Sequence, residues 1–557
     1  MKKMVHVIAV LVMFSVVVFH CTLVFAAPES SSPLRVVVVS GSNYDMGVQY
    51  GEQAADLIAA NRDVTWNLLD SAVGHDVAEK DIQVWTYYLE KYDPQLKEWF
   101  RGISKGCENK GFEITYTDLV ALMVLPQELW ARPGAPYPPE TGVVASLPNK
   151  GSNLLAKGRT DTRPVASCTS FAATRSATPG GAPMVSLTTG FVSEIKQFVV
   201  LIAFPAEGER FIDLTMAGRV ASNTGMNSKF AWIMTAAVTD PRTPCASNWG
   251  VSSEVYFHYL LQYAKSPAEA MKYLDATPKG GVTGIFLFAD KSHDVFAYEC
   301  SYCGCVTRKP GDLGEKDFVA TTNNYNHPDM IPYRIPAEWF PDTYVRYDTI
   351  FKELSSAPSG TIGVDFAKAA WLSNDWFDVT TNTWHTVPVP NDPSDFNTCN
   401  VPGNQCEGGE GQVIQFPVHN IAYLQSGGPH GTSIQYYWPD DPKPTGEYTK
   451  WRLLGSIQAV ANAASDDAWD MIEAARDALR QKARQLDPVT RNQLMGLLNQ
   501  ATEAWWKGRM EEASAQKPDH GRQGNNKKTE TILWSAALTD YATAQLYAQM
   551  VTTRLNH

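Results

Sequence analysis

From Cys168 to about Ala320 the chain is a succession of short β-rich runs parted by turn residues, and any fold must bury those runs as sheets. Residues 198–204 form a continuous apolar run of the kind buried on both faces, and residues 210–216 alternate. Residues 231–238 and 284–289 predict further strands. Pro205-Ala206-Glu207-Gly208 and Gly225-Met226-Asn227-Ser228-Lys229 carry turn chemistry, which predicts hairpins. Helical text interrupts the strands at 253–263 and at 266–274, the second opened by Ser266-Pro267-Ala268-Glu269. Strands, a helical layer and strands again imply a layered α+β domain.

The flanks are helical. After a β-branched strand at 34–41, Met46, Tyr50, Ala54, Leu57, Ile58, Val64 and Leu68 recur at helical spacing. Helices are also predicted at 82–89, 96–103 and 117–129. Residues 132–167 cannot continue them: Arg132-Pro133-Gly134-Ala135-Pro136-Tyr137-Pro138-Pro139 opens a Gly/Ser/Asn/Pro-rich segment that reads as an exposed linker. Residues 380–450 read as loop with one strand pair, at 411–416 and 420–424. Beyond Lys450 helices return at 457–460, from a cap at Ser465-Asp466-Asp467, from Pro488, and at 532–555, with a polar stretch at 515–530. No internal repeat is present.

Of the 557 residues 44% are hydrophobic, as in a globular protein, and the net charge of -12 without clustered Lys/Arg excludes a nucleic-acid footprint. Lys2 and Lys3 before the apolar run 5–25, with small residues at Ala26 and Ala27, read as a secretory signal peptide over 1–26. The expected location is therefore extracellular or periplasmic, in a bacterial envelope, with no stable membrane insertion once the signal is removed. Nine cysteines in an exported chain invite disulfides. Cys399 and Cys406 bracket one loop and are the expected pair. Cys300-x-x-Cys303-x-Cys305 has no evident fourth ligand, so disulfides are preferred to a metal there. No metal or cofactor is expected.

Cys168 opens the strand-rich region directly after the linker and admits three readings. It can be a packed core thiol. It can be a thiol served by a histidine base, for which His258, His293, His327, His419 and His430 are available and none is singled out. It can also become a chain terminus by cleavage of the Ser167–Cys168 bond. Its α-amine, with a pKa of about 7.7–8.0 against about 8.5 for a thiol, could then accept the thiol proton and later deliver it to a leaving amine. One residue would supply nucleophile and base. The cut needs only an N-to-S acyl shift at an exposed strained peptide and hydrolysis of the resulting ester.

Cys168-Thr-Ser-Phe-Ala-Ala-Thr, followed by Gly180-Gly181-Ala182-Pro183-Met184-Val185, resembles the start of the catalytic chain in the acyl-CoA:6-aminopenicillanic acid acyltransferase-like family of cysteine N-terminal nucleophile (Ntn) hydrolases. Gly41-Ser42-Asn43-Tyr44-Asp45-Met46-Gly47-Val48-Gln49-Tyr50-Gly51 is similar to that family's N-terminal helix motif, Gly225-Met226-Asn227-Ser228-Lys229 to its hairpin, and Ala320-Thr321-Thr322-Asn323 to its later strand ending in Asn. The resemblance covers roughly residues 34–350. It implies a four-layer αββα sandwich, self-cleavage between Ser167 and Cys168 into two chains that stay associated, Cys168 as nucleophile and Asn323 as an oxyanion or substrate ligand. Thr188 and Asn227 are further candidates, and Arg346 matches a recurring Arg-Tyr pair.

The chain departs from the family at three places. Ser167 stands where many members have Gly, and the strand after the nucleophile ends Leu187-Thr188-Thr189-Gly190 instead of in Asn or Asp. Ala231-Trp232-Ile233-Met234-Thr235-Ala236-Ala237 lacks the Asn that some members use as an oxyanion donor. The implied layout is a helical pro-segment over 27–167, a catalytic domain over 168–450 and a helical extension over 451–557. The implied activity is hydrolysis of an N-acyl amine or N-acyl amino acid through an acyl-thioester, in preference to acyl transfer. A phospholipase-B-like lipid hydrolase and a non-catalytic envelope binding protein on the same scaffold are the alternatives.

Overall fold

In the computed structural model, residues 34–130, 132, 136–144, 168–189, 195, 197–237, 239–240, 242–243, 249–338, 341–373, 375–386, 411–426, 447–516 and 526–556 are described. The signal segment, Ser167, Cys399 and Cys406 lie outside them. Among the described residues no helix is long and apolar enough to cross a membrane.

Two sheets organise a mixed α+β chain. The first has eight strands in the order β1-β4-β5-β6-β7-β8-β9-β10: β1 (Arg35–Gly41), β4 (Phe198–Pro205), β5 (Phe211–Met216), β6 (Thr224–Asn227), β7 (Phe230–Ala237), β8 (Thr283–Asp290), β9 (Val295–Ser301) and β10 (Gly304–Arg308). The β1–β4 pair is parallel and the others antiparallel. The second has six strands in the order β11-β2-β3-β14-β15-β16: β11 (Phe318–Thr321), β2 (Cys168–Ala173), β3 (Met184–Thr189), β14 (Gly411–Phe416), β15 (Ile421–Ser426) and β16 (Thr449–Arg452). β12 (Asp375–Asp378) and β13 (Thr383–Thr386) form a separate hairpin.

β2 and β3 lie against β7 and β8, so the two sheets face one another. The pleat of β2 assigns its side chains. Cys168 and Ala172 join the core shared with the first sheet, whereas Phe171 and Ala173 join a second core with Ile350, Leu354 and Trp371. That second core belongs to α7 (Pro341–Ser356) and α8 (Val364–Leu372), which pack on β11, β2 and β14. At the first sheet, α1 (Asn43–Ala72) packs on β1 and β4, and α2 (His75–Tyr92), α3 (Pro94–Asn109) and α4 (Tyr116–Trp130) pack around it. Two short helices, α5 (Ser253–His258) and α6 (Pro267–Ala276), fall between β7 and β8, and Ser266 caps the second through Glu269 N as its start signal predicts.

The C-terminal helices are α9 (Ile457–Lys482), α10 (Pro488–Ala515) and α11 (Asn526–Asn556). The expected cap at Ser465-Asp466-Asp467 is not a helix start. α9 runs through it, capped at Ser456, whose Oγ accepts from Ala459 N. Asp467 is polar inside a helix because it serves β16, accepting from Lys450 Nζ at 2.7 Å and Arg452 Nη2 at 2.9 Å. The expectation of one strand pair over 380–450 missed the four-residue β13 and β16. Such short polar strands carry almost no periodic signal and are set by their partners.

Candidate active site

Cys168 is the first residue of β2 and pairs with Thr189, the last of β3. Its main chain is held on both sides. Cys168 N donates to Asn323 Oδ1 at 3.0 Å, and Arg346 Nη1 donates to Cys168 O at 2.6 Å. Arg346 also donates to Asn323 Oδ1 at 2.8 Å and to Thr169 Oγ1 at 3.1 Å. The guanidinium is buried on α7 and balanced by Asp342 one turn earlier, 2.7 Å from Nε. A charge this deep needs such a partner, and several of its N–H groups are directed by named acceptors.

Asn323 follows β11 in a loop fixed by Thr343 of α7. Thr343 Oγ1 accepts from Asn323 N at 2.8 Å and donates to Asn324 Oδ1 at 2.9 Å. One amide hydrogen of Asn323 goes to Ala236 O of the first sheet at 2.7 Å. The oxygen of Asn323 therefore faces the main chain of Cys168 while its nitrogen ties the loop to β7.

The thiol faces the other sheet. Cys168 is 3% exposed and is not disulfide-bonded. Its Sγ lies 3.2 Å from Thr189 Oγ1 and 4.0 Å from Nδ2 of Asn223, which reaches across from the bend between β5 and β6. Asn223 Nδ2 also donates to Thr189 Oγ1 at 3.3 Å and to Met234 O at 3.2 Å. Thiol, hydroxyl and amide thus meet between the sheets, at the end where β2 begins and β3 ends.

Of the residues singled out from sequence, Cys168, Asn323 and Arg346 come together. Thr188 and Asn227 do not. Thr188 pairs with Thr169 and turns to the α7–α8 side of the pleat, where Gln412 Nε2 donates to its hydroxyl at 3.3 Å. Thr189, one residue on, faces the thiol instead. Asn227 is a turn residue: its Oδ1 accepts from Lys229 N and Phe230 N, and its Nδ2 donates to Leu260 O and Ala264 O. Those four bonds leave it nothing for a substrate. Asn223 was missed, since Ser222-Asn223-Thr224 reads as ordinary turn text.

The remaining described cysteines fall elsewhere. Cys300 and Cys305 form a disulfide across the β9–β10 pair, and Cys303 is disulfide-bonded too, which replaces the metal alternative at that motif. Cys107 is a buried thiol on α3 whose burial pushes its pKa up to about 12, so it is a poor nucleophile at neutral pH. Among the described residues no cluster of three His, Cys, Asp or Glu could hold a metal ion.

No family model matches the chain. Over 347 residues it is 24% identical to an uncharacterised protein of Archaeoglobus fulgidus, covering 56% of this chain and 53% of that one. The chain spans about half the length of the curated relative it matches. Solved structures match parts of the chain at low identity. Penicillin V acylase from Agrobacterium tumefaciens matches with 15% identity over 46% of this chain and 83% of that one, at a TM-score of 0.28. A mutant conjugated bile acid hydrolase from Clostridium perfringens matches with 7% identity over 48% and 82%, at a TM-score of 0.21.

Proposed function

We propose that the protein is an exported cysteine Ntn amidohydrolase on an αββα sandwich, activated by cleavage of the Ser167–Cys168 bond. The observation that carries this reading is the treatment of Cys168. It opens a central strand, its main-chain nitrogen and carbonyl are each held by a dedicated buried side chain, and its thiol is turned into the space between the sheets. A core cysteine needs none of this. The Cys300–Cys305 disulfide supports an oxidising compartment.

After the cut, Cys168 N is an amine that keeps Asn323 Oδ1 as its acceptor. The amine takes the thiol proton, and Sγ attacks the carbonyl carbon of an N-acyl amine or N-acyl amino acid. The carbonyl π pair moves to oxygen. As it returns, the C–N bond breaks and the amine leaves with the proton delivered from Cys168 N. Water, deprotonated by the same amine, then hydrolyses the thioester and releases the acid. Arg346 fixes the Cys168 carbonyl and Asn323 together, so the amine cannot swing away from its own thiol.

The test is a denaturing gel of the purified protein with N-terminal sequencing. Two fragments are expected, the larger beginning at Cys168, and Cys168→Ala should remain one chain. A wild-type chain that stays intact on long incubation, indistinguishable from Cys168→Ala, would sink the self-processing claim.

A further inference from the structure

Attack on a carbonyl puts negative charge on its oxygen, and a site that catalyses the attack aims N–H groups at that oxygen from about 2.7–3.1 Å. The strand over residues 231–237, where the family resemblance places an asparagine donor, holds alanines at 236 and 237. Asn323 presents its oxygen to Cys168 and commits one amide hydrogen to Ala236 O.

Asn223 has the missing geometry. Its main chain and side chain both clasp Met234: Met234 N donates to Asn223 O at 2.6 Å, and Asn223 Nδ2 donates to Met234 O at 3.2 Å. The second bond fixes which way the amide points, because the reversed amide would set two carbonyl oxygens against each other. The other amide hydrogen is then directed at Thr189 Oγ1, 3.3 Å away, and at Cys168 Sγ, 4.0 Å away. When Sγ bonds an acyl carbon, the oxygen on that carbon is two bonds from the sulfur, within reach of an amide nitrogen that already lies 4.0 Å from Sγ. We infer that Asn223 Nδ2 is the oxyanion donor of this site, supplied by the first sheet to a nucleophile on the second. The inference rests on the reading of Cys168 as the nucleophile. Thr189, which accepts from the same amide before substrate arrives, holds that N–H ready at the thiol.

Two probes of one thiol separate this role from mere support. With p-nitrophenyl acetate, Sγ bonds the acetyl carbon, charge passes through the carbonyl oxygen, and nitrophenolate leaves. With iodoacetamide, Sγ displaces iodide and no oxyanion forms. Asn223→Ala should slow acetylation of Cys168 by about 10²-fold while its alkylation, mapped to the same residue by mass spectrometry, stays within about twofold. Asn223→Ser, whose hydroxyl can still serve Met234 O, should show the same split and guards against a folding defect in the alanine variant. Equal falls in both rates, or no fall in either, would overturn the assignment. If the wild-type acetyl group lands elsewhere, and Cys168→Ala keeps the nitrophenolate burst, the nucleophile reading fails and takes the donor with it.

Discussion

Glu353 on α7 lies behind the site, in the layer that covers the second sheet. Its Oε2 is buried without a hydrogen-bond partner among the described residues. Burial, and then the nearby charge of Asp375, raise its pKa from 4.5 to about 8. The folded state therefore keeps a proton that the unfolded chain gives up, and unfolding releases it anywhere between these two values. Stability contributed by this group is complete below about pH 4.5 and falls as pH rises toward about 8, with a slope approaching roughly 1.4 kcal/mol per pH unit. Glu353→Gln cannot ionise and should lose that slope, gaining on wild type steadily across the window and holding a constant lead above it. Urea unfolding at a series of pH values reads this directly, and parallel curves would refute it. The same scale shows what sequence could reveal of the site. Cys168, Asn323 and Arg346 were legible because each lies in a local pattern. Thr188 and Thr189 are chemically alike, and only strand pairing decides which of them faces the thiol. Asn223 reaches Cys168 from another sheet, a proximity that no local window contains.

Helices α1 and α3 pack backbone against backbone, and four glycines allow it. Gly47 and Gly51 on α1 meet Gly102 and Gly106 on α3. A Cβ at Gly51 would run into the carbonyl oxygen of Ile103 and lie 2.8 Å from Cys107 N. These are backbone atoms that cannot rotate aside. Alanine adds about 1 kcal/mol of helix propensity, but forcing the two backbones apart costs about 1–3 kcal/mol or more. Gly51→Ala is therefore expected to destabilise. Gly496 on α10 meets nothing within 4 Å of its Cβ position, so Gly496→Ala should stabilise by about 0.5–1 kcal/mol. Opposite shifts in Tm for the two variants are the expected result, and shifts of the same sign would contradict the packing. At this scale most helices and the longer strands were readable, because residues such as Met46, Tyr50 and Ala54 repeat at one period over many turns. The break predicted at Ser465 was not real: a serine and two aspartates have the composition of a cap, and nothing local says that Asp467 is held by Lys450 and Arg452 of β16.

Over the whole molecule, α11 joins what the two sheets leave open. β1 and β16 are edge strands of different sheets, and each would present unpaired main-chain groups. Ser535 Oγ accepts from Val38 N at 2.7 Å and Thr539 Oγ1 from Val36 N at 3.0 Å on the first edge. Further along the same helix, Gln545 Oε1 accepts from Lys450 N at 2.7 Å and Gln549 Nε2 donates to Tyr448 O at 2.6 Å on the second. One helix thus substitutes for a neighbouring strand twice, and it ties together the sheets that carry Asn223 and Cys168. Removing a side chain that satisfies a buried main-chain group costs about 1–3 kcal/mol. The double variant Gln545→Ala/Gln549→Ala should speed hydrogen exchange at the Tyr448 and Lys450 amides and leave Val36 and Val38 protected. Ser535→Ala with Thr539→Val should do the reverse. Combining all four should open both edges and promote association between molecules, visible as light scattering at temperatures where wild type stays clear. Exchange that rises equally at both edges in either double variant would mean that α11 supports the fold only by bulk packing, and the separate capping of each sheet would have to be abandoned.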